Sequence, residues 1–88
     1  MLDFSIVKRT NLRQKGELDR LFGVSRIMVN RYLSGESLPR GANRKHISKT
    51  ISVMSELLDA GTLPMDSTAE DSVRQAVLAE ISAQAASE

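Results

Sequence analysis

Between positions 26 and 31 the chain places two guanidinium groups, a carboxamide and an aliphatic side chain: Arg26, Ile27, Asn30 and Arg31. On a helix, with a step of ~100° per residue, these four share one face once Val29, Tyr32 and Leu33 are turned to the other. That set suits the edges of base pairs in a major groove. Arginine can bridge guanine, asparagine can bridge adenine, and an aliphatic group can touch the thymine methyl. Ser25 precedes them, where its hydroxyl or the free amides of a helix start can hold a phosphate. Met28 lies on the border and can belong to either face.

Such a face works only if something braces the helix behind it. The stretch Gly16 to Gly35, GELDRLFGVSRIMVNRYLSG, supplies the brace. A short helix from about Lys15 to Phe22 carries Leu18, Leu21 and Phe22 as its apolar stripe. Gly23 ends it, because glycine enters the left-handed conformation without a Cβ penalty. Val24 plugs the junction, and Ser25 is a good N-cap for the next helix, which ends at Ser34-Gly35. Leu18, Val29 and Tyr32 are then expected to meet inside, which is the physical demand of a helix-turn-helix.

The remaining elements also read as helices, with no sustained period-two alternation. A first helix starts at Asp3 or Ser5 and runs to about Leu12, with Phe4 and Val7 (and Leu2 and Ile6) toward the core. Residues 35–41 form a loop punctuated by glycine and proline. A fourth helix starts near Asn43 with the stripe Ile47, Ile51, Met54, Leu57 and Leu58, and Gly61 and Pro64 terminate it. A fifth opens at Ser67 or Thr68, with Glu70 and Asp71 in a first turn that favours acids. Its stripe is Val73, Ala76, Val77, Glu80 or Ile81, and Gln84, and the tail from Ala83 is expected to fray. The fold class is therefore all-α, a compact five-helix domain. Residues 1–64 are read as the functional unit and 65–88 as a C-terminal helix of the same domain.

The stretch resembles the lambda repressor/Cro-like helix-turn-helix family of phage, plasmid and chromosomal regulators. Leu-x-x-x-Phe-Gly-Val-Ser at 18–25, then Val29, Tyr32, Ser34-Gly35 and Pro39, carry the resemblance, which extends over residues 2–60 and is specific over 16–39. It implies a five-helix domain with helix three in the major groove. By position it implies that Lys15 contacts phosphate from the start of helix two, and that Arg26, Ile27, Asn30 and Arg31 contact bases or backbone. The loop after helix three usually grips phosphate in this family, and here it offers Arg40, Asn43, Arg44 and Lys45. One residue departs from the pattern. Asp19 stands where the family usually has alanine, so its carboxylate needs an escape to solvent or a partner, Arg31 or Arg26.

Bulk properties narrow the alternatives. The chain has 88 residues, no cysteine and one histidine, His46. Disulfides, thiolate metal sites and most imidazole chemistry are thereby excluded, and His46 reads as a surface or helix-start residue. Glu56 and Asp59 read as solvating charge. No Gly-rich phosphate loop, metal cluster or nucleophile–base pair is present, so an enzyme is not expected and no cofactor is called for. No stretch approaches the ~20 apolar residues that span a bilayer, and the N-terminus does not read as a signal peptide. A cytoplasmic protein is expected.

The net charge of +1 conceals an asymmetry. Residues 1–49 hold eleven Lys/Arg against four Asp/Glu, a net of +7, while residues 50–88 hold Arg74 against seven acids, a net of −6. A basic half suggests a polyanion surface, and an acidic half suggests a second surface doing other work. The leading expectation is a repressor that binds a pseudo-palindromic DNA operator as a homodimer, with Val73, Ala76, Val77 and Ile81 at the dimer contact and two recognition helices ~34–36 Å apart. The same stripe could instead fold back onto the core. The alternative function is an interaction module of antitoxin or anti-activator type, which binds a protein partner through its acidic C-terminal helix.

Overall fold

Capping decides where the helices begin and end. The structure is a computed structural model and describes residues 2–12, 16–66 and 68–86. Helix α1 (Phe4–Arg9) is opened by Asp3, whose carboxylate accepts hydrogen bonds from the Ser5 hydroxyl and, at 3.0 Å, from the Ser5 backbone N–H. These bonds hold the Asp3 carboxyl below its ordinary value, the hydroxyl contributing most. Asp3 is thus the cap, and Ser5 lies inside the helix. The helix stops at Arg9, short of Leu12. Thr10 gives both its backbone N–H (3.2 Å) and its hydroxyl (2.7 Å) to the Val7 carbonyl, and Asn11 then takes a positive φ of 60°. Local hydrogen bonding of this kind competes with helix continuation.

Helix α2 (Glu17–Phe22) ends at Gly23, which is left-handed with φ 69° and donates its N–H to the Asp19 carbonyl at 2.9 Å. Helix α3 (Arg26–Ser34) follows after the three residues Gly23, Val24 and Ser25. Helix α4 (Gly41–Ala60) starts two residues before the expected Asn43. Arg40 is extended and serves as its N-cap, and Gly41 adopts a φ of +61°, a conformation that side-chain-bearing residues rarely take. Helix α5 (Asp71–Ala86) starts later than expected. Thr68 is occupied in a turn, its N–H (2.9 Å) and hydroxyl (2.8 Å) both donating to the Asp66 carboxylate, whose pKa they lower. The Glu70 carbonyl then accepts from Val73 and Arg74 and begins the helix. Ser67 and Lys15 lie outside the described residues.

Among the described residues the protein is all-helical, with five helices and no strand. The long α4 is central, and α1, α2 and α5 pack on it, while α2 also contacts α3 and α5. The radius of gyration, 12.1 Å, matches the ~12 Å expected of a single compact body of this length. Val7, Leu18, Leu21, Phe22, Val29, Tyr32, Ile47, Ile51, Met54, Leu57 and Ile81 form one apolar cluster. Phe4 ties α1 to both partners of the brace: it stacks on Tyr32 (centroids 5.9 Å, 22° between planes) and meets Phe22 edge-on (6.4 Å, 81°). The connector from α4 to α5 is strapped to the end of α1, with Met65 N–H donating to the Thr10 carbonyl (3.1 Å) and Asn11 Nδ2 donating to the Met65 carbonyl (2.7 Å).

Helix α5 corrects the sequence reading. Its buried residues are Arg74, Val77, Leu78, Ile81 and Ala85, a stripe rotated from the expected one. Val77 and Ile81, expected at a subunit contact, lie inside this chain's own core, Ile81 at 0 % exposure. Val73 and Ala76 remain at the surface. An ion pair that the apolar pattern does not record accompanies this rotation. Arg74 Nε donates to Glu17 Oε2 at 2.8 Å and Nη2 donates to Glu17 Oε1 at 2.6 Å, with a further bond from Nη2 to the Asn11 carbonyl at 2.9 Å. Both side chains are 4 % exposed. The Glu17 carboxylate, chiefly through these hydrogen bonds, raises the pKa of the guanidinium. With Arg74 seated on α2, Val73 faces outward. The expected fraying from Ala83 is also absent through Ala86, because Ala85 is packed in the core.

Candidate nucleic-acid interface

The start of α3 is built from Ser25 upward. Its backbone is extended (φ −72°, ψ 160°) and its hydroxyl accepts from the Met28 N–H at 3.3 Å, which stops one orphan amide of the first turn. Ser25 itself is exposed. At the other end Gly35 is left-handed, and the Arg31 carbonyl accepts from the N–H groups of Glu36 (3.0 Å) and Ser37 (3.3 Å). A short helix clamped at both ends presents its faces in a defined direction.

Those faces divide as the spacing predicts. Val29 and Tyr32 are buried, each 4 % exposed, while Met28 and Leu33 are half-buried against the core. Arg26, Ile27, Asn30 and Arg31 are all exposed. Ile27 is 66 % exposed, more than any other large hydrophobic side chain among the described residues.

Asp19 resolves differently from either expected ion pair. Its carboxylate turns back toward Gly16, at 3.5 Å from where a Cβ on that glycine would sit. It borders a small cleft that also holds Leu18, Arg26, Val29 and Asn30. No hydrogen bond or ion pair joins it to Arg26 or Arg31 among the described residues. The carboxylate is half-buried beside Gly16, so helices α2 and α3 approach without alanine at this position.

Arg40, Asn43, Arg44 and Lys45 are exposed, as expected, but three of them project from the first two turns of α4 rather than from a loop. Sequence reasoning missed the continuation of that surface. Arg44, Lys45 and Lys49 line one groove of about 620 Å³ with Leu2, Gly41, Ser48 and Ser52. The signal was present in the i, i+4 spacing of Lys45 and Lys49, which puts both bases on one side of a helix. It also missed the role of His46, whose Nε2 donates to the Leu21 carbonyl at 2.7 Å and ties α4 to the end of α2. Lys15 lies outside the described residues. Among the described residues no group of His, Asp and Glu could hold a metal, and no helix is long and apolar enough to cross a membrane. No protein-family model, curated protein or solved structure matches this chain.

Proposed function

We propose that the chain is a sequence-specific DNA-binding transcriptional regulator, a repressor acting in the cytoplasm. In this reading α2 and α3 form a helix-turn-helix of the lambda repressor/Cro-like kind, and α3 enters the major groove. The observation that carries the reading is the outward set on α3: two arginines, an asparagine and a 66 %-exposed isoleucine on a helix whose opposite face is locked by Val29, Tyr32 and Phe4. Arg26, Asn30, Arg31 and Ile27 would set sequence by contacts with base edges. Ser25, Arg40, Asn43, Arg44 and Lys45 would hold phosphates and supply most of the affinity through counterion release. A two-fold pair of copies would read a pseudo-palindrome, with repression by covering a promoter.

The test is selection of binding sites from random duplexes, followed by affinity measurements on the selected site. A recurring motif is expected, and a library returned without enrichment would sink the proposal. Each phosphate-contacting base replaced by alanine should reduce the steepness of the log-affinity against log-salt plot by about one.

A further inference from the structure

Three large hydrophobic side chains are exposed among the described residues: Ile27, Leu38 (64 %) and Val73 (50 %). The proposed function uses the first. The other two lie on surfaces of opposite charge. Leu38 lines a groove of about 390 Å³ with Leu2, Pro39 and Arg44. This groove shares Leu2 and Arg44 with the larger one that runs along α4 past Lys45 and Lys49. Together they form one channel, apolar at the α3–α4 connection and cationic along α4, with no carboxylate among the described residues of its lining.

Val73 has the complementary setting. With Ala76 and Glu80, at spacings of three and four, it forms an exposed stripe on α5, and Glu70 stands at the head of the helix. The stripe is apolar at its centre and acidic at both ends. It lies outward with the Arg74–Glu17 pair seated on the opposite, buried side. The +7 and −6 halves of the chain thus each end in a surface with an apolar centre and opposite charge. Both surfaces are on one molecule, and they cannot meet within it, since α5 packs on α4 and α2 through its other face.

We propose that α5 of a second copy docks head to tail in this channel, with Val73 and Ala76 against Leu2 and Leu38 and the carboxylates against Arg44 and Lys45. Because the two surfaces differ, the contact is heterologous, and each added copy leaves one surface of each kind open. The inference rests on the proposed function in one respect. Arg44 and Lys45 are also phosphate contacts there, so duplex DNA and a second copy compete for them.

Sedimentation of the full chain across concentration tests the contact without DNA. The expected result is a mass that keeps rising with concentration at low salt. The association constant should fall about tenfold or more between about 0.1 M and about 1 M salt, as the screening length drops from about 10 to about 3 Å. A groove variant, Leu38→Ser with Lys45→Gln, and a helix variant, Val73→Ser with Glu80→Gln, alter only exposed residues. Each should remain folded by circular dichroism and be monomeric alone. Mixed in equal amounts, they should form a dimer and stop there, because each retains one intact surface. A wild-type chain monomeric at every concentration would overturn the proposal. So would a wild-type dimer that resists the groove variant but is lost in the helix variant, which would mean a two-fold α5 pair. Addition of duplex to the wild type should dissolve the chains of copies. Duplex that binds but leaves them intact refutes the competition, whereas duplex that does not bind refutes the proposed function and leaves the contact standing.

Discussion

Helices α3 and α5 are both short amphipathic elements, yet one face of α3 is where its residue types place it and the face of α5 is not. In α3 the two sides differ strongly in chemistry, with Val29 and Tyr32 opposed to Arg26, Asn30 and Arg31. Helix α5 is DSVRQAVLAEISAQAA, where alanines are spread around the circumference, so the edges of its apolar side, Val77, Leu78 and Ile81, are poorly marked. Blurred edges leave the exact rotation open, and the buried guanidinium of Arg74 sits on the side that is chosen. Where the apolar side of a helix has poorly marked edges, residue types alone do not fix the buried face.

The largest test of that contrast is Arg74. Replacing it with alanine removes two short hydrogen bonds from the buried Glu17 carboxylate, and stability should fall by about 3–5 kcal/mol, read from urea unfolding. Replacing both residues, Glu17→Gln with Arg74→Met, should recover much of the loss. Arg74 Nη1 is buried with no hydrogen-bond partner among the described residues, so the pair is imperfectly satisfied there and an apolar substitute gives up little. Loss from the double variant as large as from the single would show that the pair itself holds the fold.

Next comes the rotation of α5. Ile81→Ala should cost about 2–5 kcal/mol, while Val73→Ala in a dilute sample should lie within about 0.5 kcal/mol of wild type. The reverse order would restore the stripe expected from the sequence. On α3, Asn30→Ala and Arg31→Ala should each weaken binding to a selected duplex by about 1–3 kcal/mol and leave the unfolding midpoint unchanged. Ser25→Ala should lower stability by about 1 kcal/mol, from the lost cap at Met28. The smallest effect is at Asp3. Its carboxyl is lowered in the folded chain by Ser5, so its contribution is present above the ordinary carboxylate value and disappears as pH falls through the folded value. Asp3→Ala should flatten the stability–pH curve only in that acid window, and Asp66→Ala should act in the same direction for the same reason.

The extent to which the site was legible depends on the range of the forces involved. Ser25, Gly23 and Gly35 act on their own backbone neighbours within five residues, so the limits of α3 and the membership of its outward face could be read in the order of residues. Helix α4 was legible in its stripe but not in its start, since Gly41 at φ +61° admits a cap at Arg40 that carries no side-chain signal. The late start of α5 turned on an Asp66–Thr68 turn that competes for the same threonine expected to open the helix. Lys49 was passed over because a base on the polar side of an amphipathic helix reads as ordinary solvation until Leu2 and Gly41 are seen to make a groove beside it.

By itself, the order of amino acids determined that this chain would be helical, that α2 and α3 would be joined by a tight glycine turn, and which four side chains α3 would offer outward. Each of those outcomes is governed by groups a few residues apart. Only the tertiary structure decided the rotation of α5, the burial of Val77 and Ile81, the outward turn of Val73 and the escape of Asp19 beside Gly16. Those outcomes rest on contacts such as Arg74 with Glu17, 57 positions apart, and no periodicity records which buried charge will find which partner.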